Sequence, residues 1–290
     1  MKRRIGFVGL GRMGSGICNC FIREGYSVSV FDANPQVLEP FKDKARAAEG
    51  ILDLLQEDLI FLSLPGSAEV EKIMDAWINH GISGKTFIDL STSFPVSTQT
   101  LFEDVKAAGG RYADASLTGS PAQAQEGALT VMFGGDKEVF DAYRPELEVF
   151  AKALYYMGGP GTGNTAKLVN NYLSIMYIVL YAEIFPLAEK VGIDVNYLFE
   201  IIGNSGVNCP IYQIAGAKIA KETYDPSFAL NLALKDLSYV KKLYDEFQAP
   251  TFVLEGGLNM LKTAKWKGLG ANDVSEAAKV VRDYLADGGS

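Results

Sequence analysis

The sequence predicts an α/β domain built on a doubly wound, largely parallel sheet, followed by an all-α domain. Three observations carry that expectation. Residues 5–157 alternate short apolar runs with stretches of helical composition, the pattern of successive strand-helix-strand units. The run Gly158-Gly159-Pro160-Gly161-Thr162-Gly163 then reads as a linker, dividing a domain over 1–160 from one over 161–290. Beyond it, from Asn164 to about Val191, no glycine interrupts and Pro186 is the only proline, so one very long helix is expected, kinked near that proline.

The first apolar run, Ile5 to Val8, ends in Gly9, Gly11 and Gly14, the GxGxxG spacing, and passes into a helix over 17–24. Each glycine has its own task there. Gly9 makes the turn, Gly11 lets the backbone approach a pyrophosphate, and Gly14 lets the helix pack on the strand with its N-terminus toward the phosphates. The next strand, Ser27 to Phe31, ends in Asp32. A carboxylate about twenty residues past the glycines accepts hydrogen bonds from adenosine ribose hydroxyls and repels a 2′-phosphate. The expectation is a Rossmann-type dinucleotide-binding domain that takes NAD in preference to NADP.

Further along, Asn34-Pro35 caps a helix to about Lys42, and a short helix covers 51–56. Leu59 to Leu64 is a continuous apolar run stopped by Pro65-Gly66, which suits a strand buried on both faces. Ser67 is a good N-cap for the helix that follows. Strands are expected at Thr86–Leu90 and Arg111–Ala115 around a helix at Pro95–Ala108, and at Thr130–Phe133 and Ala153–Met157 around a helix at Asp136–Phe150. In such a sheet the ligand crevice lies outside the carboxyl ends of the strands. Gly9 to Gly14, Asp32, Pro65, Ser91-Thr92 and Asp114 to Ser120 all fall at such ends.

In the second half the middle of the long helix, Tyr172 to Leu180, is apolar on nearly every face. Asn170, Asn171, Glu183 and Lys190 interrupt it before the roughly twenty apolar residues of a membrane span are reached. It reads as a helix buried all round, between its own domain and a partner subunit of a homodimer or homotetramer. Helices follow at Val195–Ile202, Cys209–Lys221, Ala229–Phe247, Pro250–Ala264 and Val274–Ala286, and residues 287–290 read as a loose tail.

The 290 residues carry a formal net charge of −8, and past Arg111 only Arg144 and Arg282 remain, which excludes the basic surface that nucleic acid or an anionic membrane calls for. Cys18, Cys20 and Cys209 have no metal-ligand spacing and read as buried thiols of a reduced, cytoplasmic protein. No metal site is expected. Met1-Lys2-Arg3-Arg4 is basic, but the apolar run behind it is too short for a signal peptide. The single histidine, His80, reads as a surface turn residue in Asn79-His80-Gly81.

On the long helix Lys167 and Asn171 are four residues apart and share a face. An ammonium there, returned to the crevice by the glycine run, suits proton delivery to a carbonyl oxygen as hydride arrives at carbon, and Asn171 suits the same oxygen or a substrate carboxylate. On the residues alone the pair reads more readily as a solvated lysine and a helix-start asparagine.

Four motifs in order now carry a family likeness. Gly9-Leu10-Gly11-Arg12-Met13-Gly14, then Asp114-Ala115-Ser116-Leu117-Thr118-Gly119-Ser120, then Gly161-Thr162-Gly163 with Lys167-Leu168-Val169-Asn170-Asn171, then Lys235-Asp236-Leu237 resemble the β-hydroxyacid dehydrogenase family. The resemblance spans essentially the whole chain. It implies Lys167 as catalytic acid/base and Asn171 as its substrate-orienting neighbour. It implies Thr118, Gly119 and Ser120 as the turn that binds the substrate carboxylate, Lys235 and Thr92 near nicotinamide and substrate, and Phe228 as a lid. Arg12, Met13, Leu64 and Pro65 join Gly9, Gly11, Gly14 and Asp32 around the cofactor.

The departures matter. That turn in the family usually reads Asp-Ala-Pro-Val-Ser-Gly-Gly, and here Ser116 replaces the proline, Thr118 the serine and Ser120 the second glycine. Thr118 keeps the hydroxyl, while Ser116 and Ser120 alter the rigidity of the turn and add donors. Family members that take NADP commonly carry Asn-Arg after the second strand, where this chain has Asp32-Ala33-Asn34. A 6-phosphogluconate dehydrogenase activity is disfavoured, because that site carries a histidine where Asn170 stands and a phosphate would want arginines. Imine reductases and a non-catalytic module on the same fold are disfavoured by Lys167. The implied function is an oxidoreductase that interconverts a short acid-bearing hydroxy compound with its aldehyde or semialdehyde.

Overall fold

The computed structural model describes residues 2–287, and residues 288–290 of the expected tail lie outside them. Its contacts group into two compact units, Met1–Lys167 and Leu168–Ser290. The division falls inside the long helix, later than the glycine run suggests.

Eight strands form the sheet of the first unit: β1 Ile5–Val8, β2 Val28–Phe31, β3 Arg46–Ala47, β4 Leu59–Leu62, β5 Thr86–Asp89, β6 Arg111–Thr118, β7 Leu129–Gly134 and β8 Ala151–Gly158. Their order is β3-β2-β1-β4-β5-β6-β7-β8, and every neighbouring pair is parallel except β6 with β7. The order reverses between β1 and β4, the switch point at which doubly wound sheets open a crevice. Around the sheet run α1 Gly14–Arg23, α2 Ser67–His80, α3 Pro95–Ala107, α4 Pro121–Glu126 and α5 Lys137–Leu147.

Successive residues of β4 show why its sequence is apolar throughout. Leu59 and Phe61 join one buried cluster with Phe7, Phe21, Val30, Phe133 and Phe150, whereas Ile60 and Leu62 join another with Val8, Trp77, Phe87 and Tyr112. Side chains alternate across a strand, so a strand covered on both faces has no solvent side on which to place polar residues.

Several elements differ from expectation for local reasons. The segment after Asn34 is a 3₁₀ helix, Pro35–Phe41, with Pro40 inside it; Asn34 does cap it, accepting from the Gln36 N–H at 3.1 Å. Ser67 is the first residue of α2 and its hydroxyl accepts the Phe94 N–H at 2.7 Å instead of capping its own helix. His80 is exposed but is the last residue of α2, and the turn begins at Gly81. β6 runs on to Thr118 because its end is paired with β7, Thr118 opposite Thr130. The short β3 and α4 were not legible. The glycines of the 158–163 run serve close approach: a Cβ at Gly161 would stand 2.8 Å from the Pro95 carbonyl oxygen, and one at Gly163 2.3 Å from that of Met132.

The second unit is helical. α6, Thr162–Lys190, begins in the first unit and continues through Pro186. α7 Val195–Gly203, α8 Ala217–Lys221, α9 Leu230–Glu246, α10 Leu254–Ala264 and α11 Ala277–Asp287 follow, with a π-helical turn at Tyr212–Gly216. Their core gathers Ile175, Val179, Ala182 and Phe185 of α6 with Tyr212, Leu230, Leu237, Leu258 and Leu261. Within the chain α6 is not buried all round. Val169, Leu173, Tyr177, Leu180, Ile184 and Leu187, spaced by three or four residues, form an exposed apolar stripe, each 44–56% accessible. By length and composition α6 would also pass as a membrane span, but its other face supplies the unit's core.

Candidate active site

The glycine loop has the division of labour its spacing predicts. Gly9 has φ +90°, and a Cβ on it would lie 2.2 Å from the Ser63 carbonyl oxygen; one on Gly14 would lie 2.0 Å from that of Gly9. At Gly11, by contrast, a Cβ would meet no atom within 4 Å. The first two positions need glycine for the fold, while Gly11 fronts open space. Behind the loop α1 starts with no side-chain cap and no acidic residue in its first turn, which leaves its N–H groups and positive dipole end for an anion. Met13 precedes α1 and packs on the first cluster, and Arg12 is exposed on the loop.

Asp32 stands just past β2. Its Oδ2 accepts the Leu10 N–H at 2.7 Å and its Oδ1 that of Asn34 at 2.8 Å, which ties the carboxylate to the glycine loop. Leu64 and Pro65 follow β4, and the Leu64 N–H donates to Ser91 Oγ at 2.9 Å, joining that loop to the one carrying half-buried Thr92. Open space before Gly11, an uncapped helix start and a carboxylate at the end of β2 fit a nicotinamide dinucleotide.

Beneath these loops lies a buried polar knot. Asp89 accepts the Ser91 N–H, the Ser93 hydroxyl and the Tyr112 hydroxyl. Asp114 accepts the Gly161 N–H at 2.8 Å on Oδ1 and the Asn164 N–H at 2.7 Å on Oδ2, and so anchors the first turn of α6. Burial pushes the Asp114 carboxyl up to about 6 against those two N–H groups, with the Asp89 charge adding to the rise. Burial likewise raises Asp89. Lys167, half-buried, lies just past this anchored turn.

The two serines that depart from the family turn are both engaged internally. Ser116 is fully buried in β6 and its hydroxyl donates to Asn164 Oδ1 at 2.9 Å. Ser120 caps α4 in a capping box, its Oγ accepting the Gln123 N–H while its own N–H donates to Gln123 Oε1. The Ser116 O–H is therefore spent inside the scaffold, whereas Ser120 Oγ only accepts in the capping box and keeps its own O–H to donate. Between them Thr118 ends β6 half-buried, and Gly119, at φ +139°, turns the chain outward.

The helical unit gathers its own polar group. Asn171 is buried and its Nδ2 donates to Asp236 Oδ2 at 2.6 Å, while Lys235 Nζ lies 3.3 Å from Asp236 Oδ1. Asp236, only 2% exposed, was quoted in the Lys-Asp-Leu motif but given no role; its sequence signal was an acid on the buried face of α9, and what it holds lies 65 residues away. Phe228 sits two residues before α9, held through its backbone: its N–H donates to Asp273 Oδ2 at 3.1 Å and its carbonyl accepts from Val274. Asp273 also takes the Ser227 N–H and hydroxyl, the Ser275 hydroxyl and the Lys218 ammonium. Burial alone would raise its carboxyl, but these donors bring it down to about 2. Among the described residues no cluster of His, Cys, Asp and Glu could hold a metal ion.

Known proteins resemble this chain over both halves. Residues 4–158 match the family described as the NAD binding domain of 6-phosphogluconate dehydrogenase, and residues 161–281 match the NAD-binding domain of NADP-dependent 3-hydroxyisobutyrate dehydrogenase. The chain is 29% identical to 2-hydroxy-3-oxopropionate reductase of Escherichia coli (strain K12) over 81% of this chain and 82% of that one. It is 30% identical to 2-(hydroxymethyl)glutarate dehydrogenase of Eubacterium barkeri over 96% of this chain and 94% of the other. Mycobacterium tuberculosis 3-hydroxyisobutyrate dehydrogenase, solved with L-serine, has the same fold at a TM-score of 0.86 and 24% identity, covering 97% of this chain and all of that one. With the switch-point crevice, the glycine loop and both halves of the chain thus accounted for, the protein belongs to the β-hydroxyacid dehydrogenase family and is an NAD(P)-dependent oxidoreductase.

Proposed function

We propose that the protein interconverts a short acid-bearing hydroxy compound with its aldehyde or semialdehyde, with NAD preferred over NADP and Lys167 as the acid/base. The observation that carries this reading is the 2.6 Å bond from Asn171 to Asp236, one helical turn beyond Lys167 on α6. It fixes the amide of Asn171 while leaving its second N–H for a substrate oxygen.

The nicotinamide, when bound, supplies or takes the hydride. Lys167 delivers a proton from its ammonium to the carbonyl oxygen during reduction and, as the neutral amine, removes it from the hydroxyl during oxidation. Asn171 orients that oxygen, and Asp236 keeps the amide turned. The Thr118 hydroxyl and the Gly119 N–H receive the substrate's anionic group, Lys235 adds positive charge, and Phe228 closes over the apolar side. Two relatives named for acid-bearing hydroxy and oxo compounds support this substrate class. NAD preference rests on Asp32, whose carboxylate next to the glycine loop would repel a 2′-phosphate. The exposed stripe on α6 supports a homodimer or homotetramer, and the cytoplasm as its location rests on Cys18 and Cys20, both buried as thiols.

The test follows NADH and NADPH consumption with glyoxylate, succinic semialdehyde, tartronate semialdehyde, methylmalonate semialdehyde and sulfolactaldehyde, alongside Lys167→Ala. Turnover of one compound with NADH that collapses in the variant is the expected result. No turnover of any, or an unaffected variant, would remove the proposal.

A further inference from the structure

Asn164 opens the glycine-free stretch in which the sequence predicts the long helix. In the structure it is fully buried and uses both ends of its amide together with its backbone. Its N–H donates to Asp114 Oδ2 at 2.7 Å. Its Oδ1 accepts the Ser93 N–H at 2.8 Å and the Ser116 hydroxyl at 2.9 Å, and its Nδ2 donates to Thr98 Oγ1 at 3.1 Å. One side chain thus ties three segments: the loop after β5, with Thr92 next to Ser93; β6, with Thr118 two residues past Ser116; and the first turn of α6, three residues before Lys167.

We propose that Asn164 is a positioning residue of the reaction centre, whose side-chain amide, beside the Asp114 anchor, sets the Lys167 helix against the Thr92 loop and the Thr118 strand. This rests on the reading of Lys167 as the acid/base. The argument is geometric. Gly163 is pressed against β7, since a Cβ there would stand 2.3 Å from the Met132 carbonyl oxygen and 2.8 Å from Asp114 Oδ2. The helix start therefore has no room to slide toward the sheet. Its rotation about its own axis is what the Asn164 amide fixes, and rotation is what moves a side chain three residues further on. Ser116 gains a purpose from this. Where a proline would offer no donor, its hydroxyl completes the bonding of Asn164 Oδ1 inside a dry interior, where an unmet partner is costly.

The experiment measures steady-state reduction by NADH of whichever carbonyl acid the enzyme turns over fastest, for the wild type, Asn164→Ala, Ser116→Ala, the double variant and Lys167→Ala. A group displaced by about 1 Å can cost on the order of 100-fold in rate. Asn164→Ala is expected to lower kcat by roughly 10- to 100-fold, with KM and the Kd of NADH within about two-fold of wild type. The double variant should be no slower than Asn164→Ala, because Ser116 acts through it. Amide hydrogen exchange in residues 162–167 should rise about ten-fold or more in Asn164→Ala with no bound ligand, while β6 stays protected. If Asn164→Ala does not fold, Thr98→Val, which removes the bond to Asn164 Nδ2, and Ser116→Ala, which removes the bonds to Asn164 Oδ1 and to the Ser91 carbonyl oxygen, should each lower kcat about two- to five-fold without moving KM.

Unchanged kcat in these variants, a loss confined to KM, or unchanged exchange in residues 162–167 would overturn the proposal. A Lys167→Ala enzyme that keeps its activity would overturn it as well, and would identify the failure as belonging to the acid/base reading and not to Asn164.

Discussion

Two buried aspartates, one in each unit, hold segments of the proposed site by the same kind of bond, and their carboxyls shift in opposite directions. Asp114, in the sheet unit, accepts two backbone N–H groups, and burial still leaves its carboxyl up at about 6. Asp273, in the helical unit, is surrounded by hydroxyls, backbone N–H groups and the Lys218 ammonium, which bring it down to about 2 despite burial. The number and charge of the donors decide the outcome, not burial alone. One anchor is therefore weakened as pH falls through about 6, where the other stays ionised.

The largest expected effect separates the proposed acid/base from its surroundings. Lys167→Ala should lower kcat by roughly 10²- to 10⁴-fold, the usual contribution of a positioned proton donor, with the Kd of NADH nearly unchanged. Stopped-flow and fluorescence titration would check this, and a parallel loss of NADH binding would mean that Lys167 serves the cofactor.

Next come the three loop glycines, which test the split between fold and ligand. Gly9→Ala and Gly14→Ala force a Cβ into a backbone carbonyl, and Gly9 adds the strain of its φ of +90°. Each should destabilise the protein by about 2–5 kcal/mol, read by denaturant unfolding. Gly11→Ala should unfold like the wild type yet bind NADH at least about ten-fold more weakly, because its methyl occupies only the space a pyrophosphate needs. Equal destabilisation of all three would contradict this division.

A smaller effect follows the two aspartates with pH. For Asp114, a folded pKa of about 6 above an unfolded value near 3.9 means that folding favours its protonated form. Its contribution to stability is fully present below about pH 4 and is lost as pH rises through about 6, roughly 3 kcal/mol across the window. Catalysis should run the other way. Protonation removes an acceptor from the first turn of α6, so kcat should fall as pH drops below about 6 while this stability term grows. Asp273 has the reverse sign and a lower window: its contribution is present above about pH 4 and is lost as pH falls through about 2. Unfolding and kcat measured from pH 4 to 8 for the wild type and Asp114→Asn would show the crossing, and its persistence in the variant would refute the assignment.

The same contrast explains what was legible in the sequence. In the sheet unit the proposed site positions are set by backbone, at strand ends and close-approach glycines, and such positions leave local signatures. Gly9, Gly11, Gly14 and Asp32 could be read from their spacing together with the strands and helix around them. In the helical unit they are set by side-chain bonds between residues far apart in sequence, Asn171 with Asp236 and Phe228 with Asp273, and no local pattern encodes such a pair. The same is true of Asn164, whose partners Ser93, Thr98, Asp114 and Ser116 lie 48 or more residues earlier. α6 shows the same limit. Its composition reports that both faces are apolar, but only packing reports that one of them is exposed within the chain.

The central claim, resting on the proposed function, is that Gly11 of the glycine loop serves the cofactor and that Asn171 of α6 orients the substrate oxygen. The most direct measurement is a paired one, the Kd of NADH and the KM of the carbonyl acid for Gly11→Ala and Asn171→Ala. The account predicts that Gly11→Ala weakens NADH with KM little changed, and that Asn171→Ala raises KM by roughly 10- to 100-fold, about 1.5–3 kcal/mol for a lost charge-assisted bond, with the Kd of NADH untouched. If Asn171→Ala weakened NADH as much as Gly11→Ala does, the division of labour would be wrong.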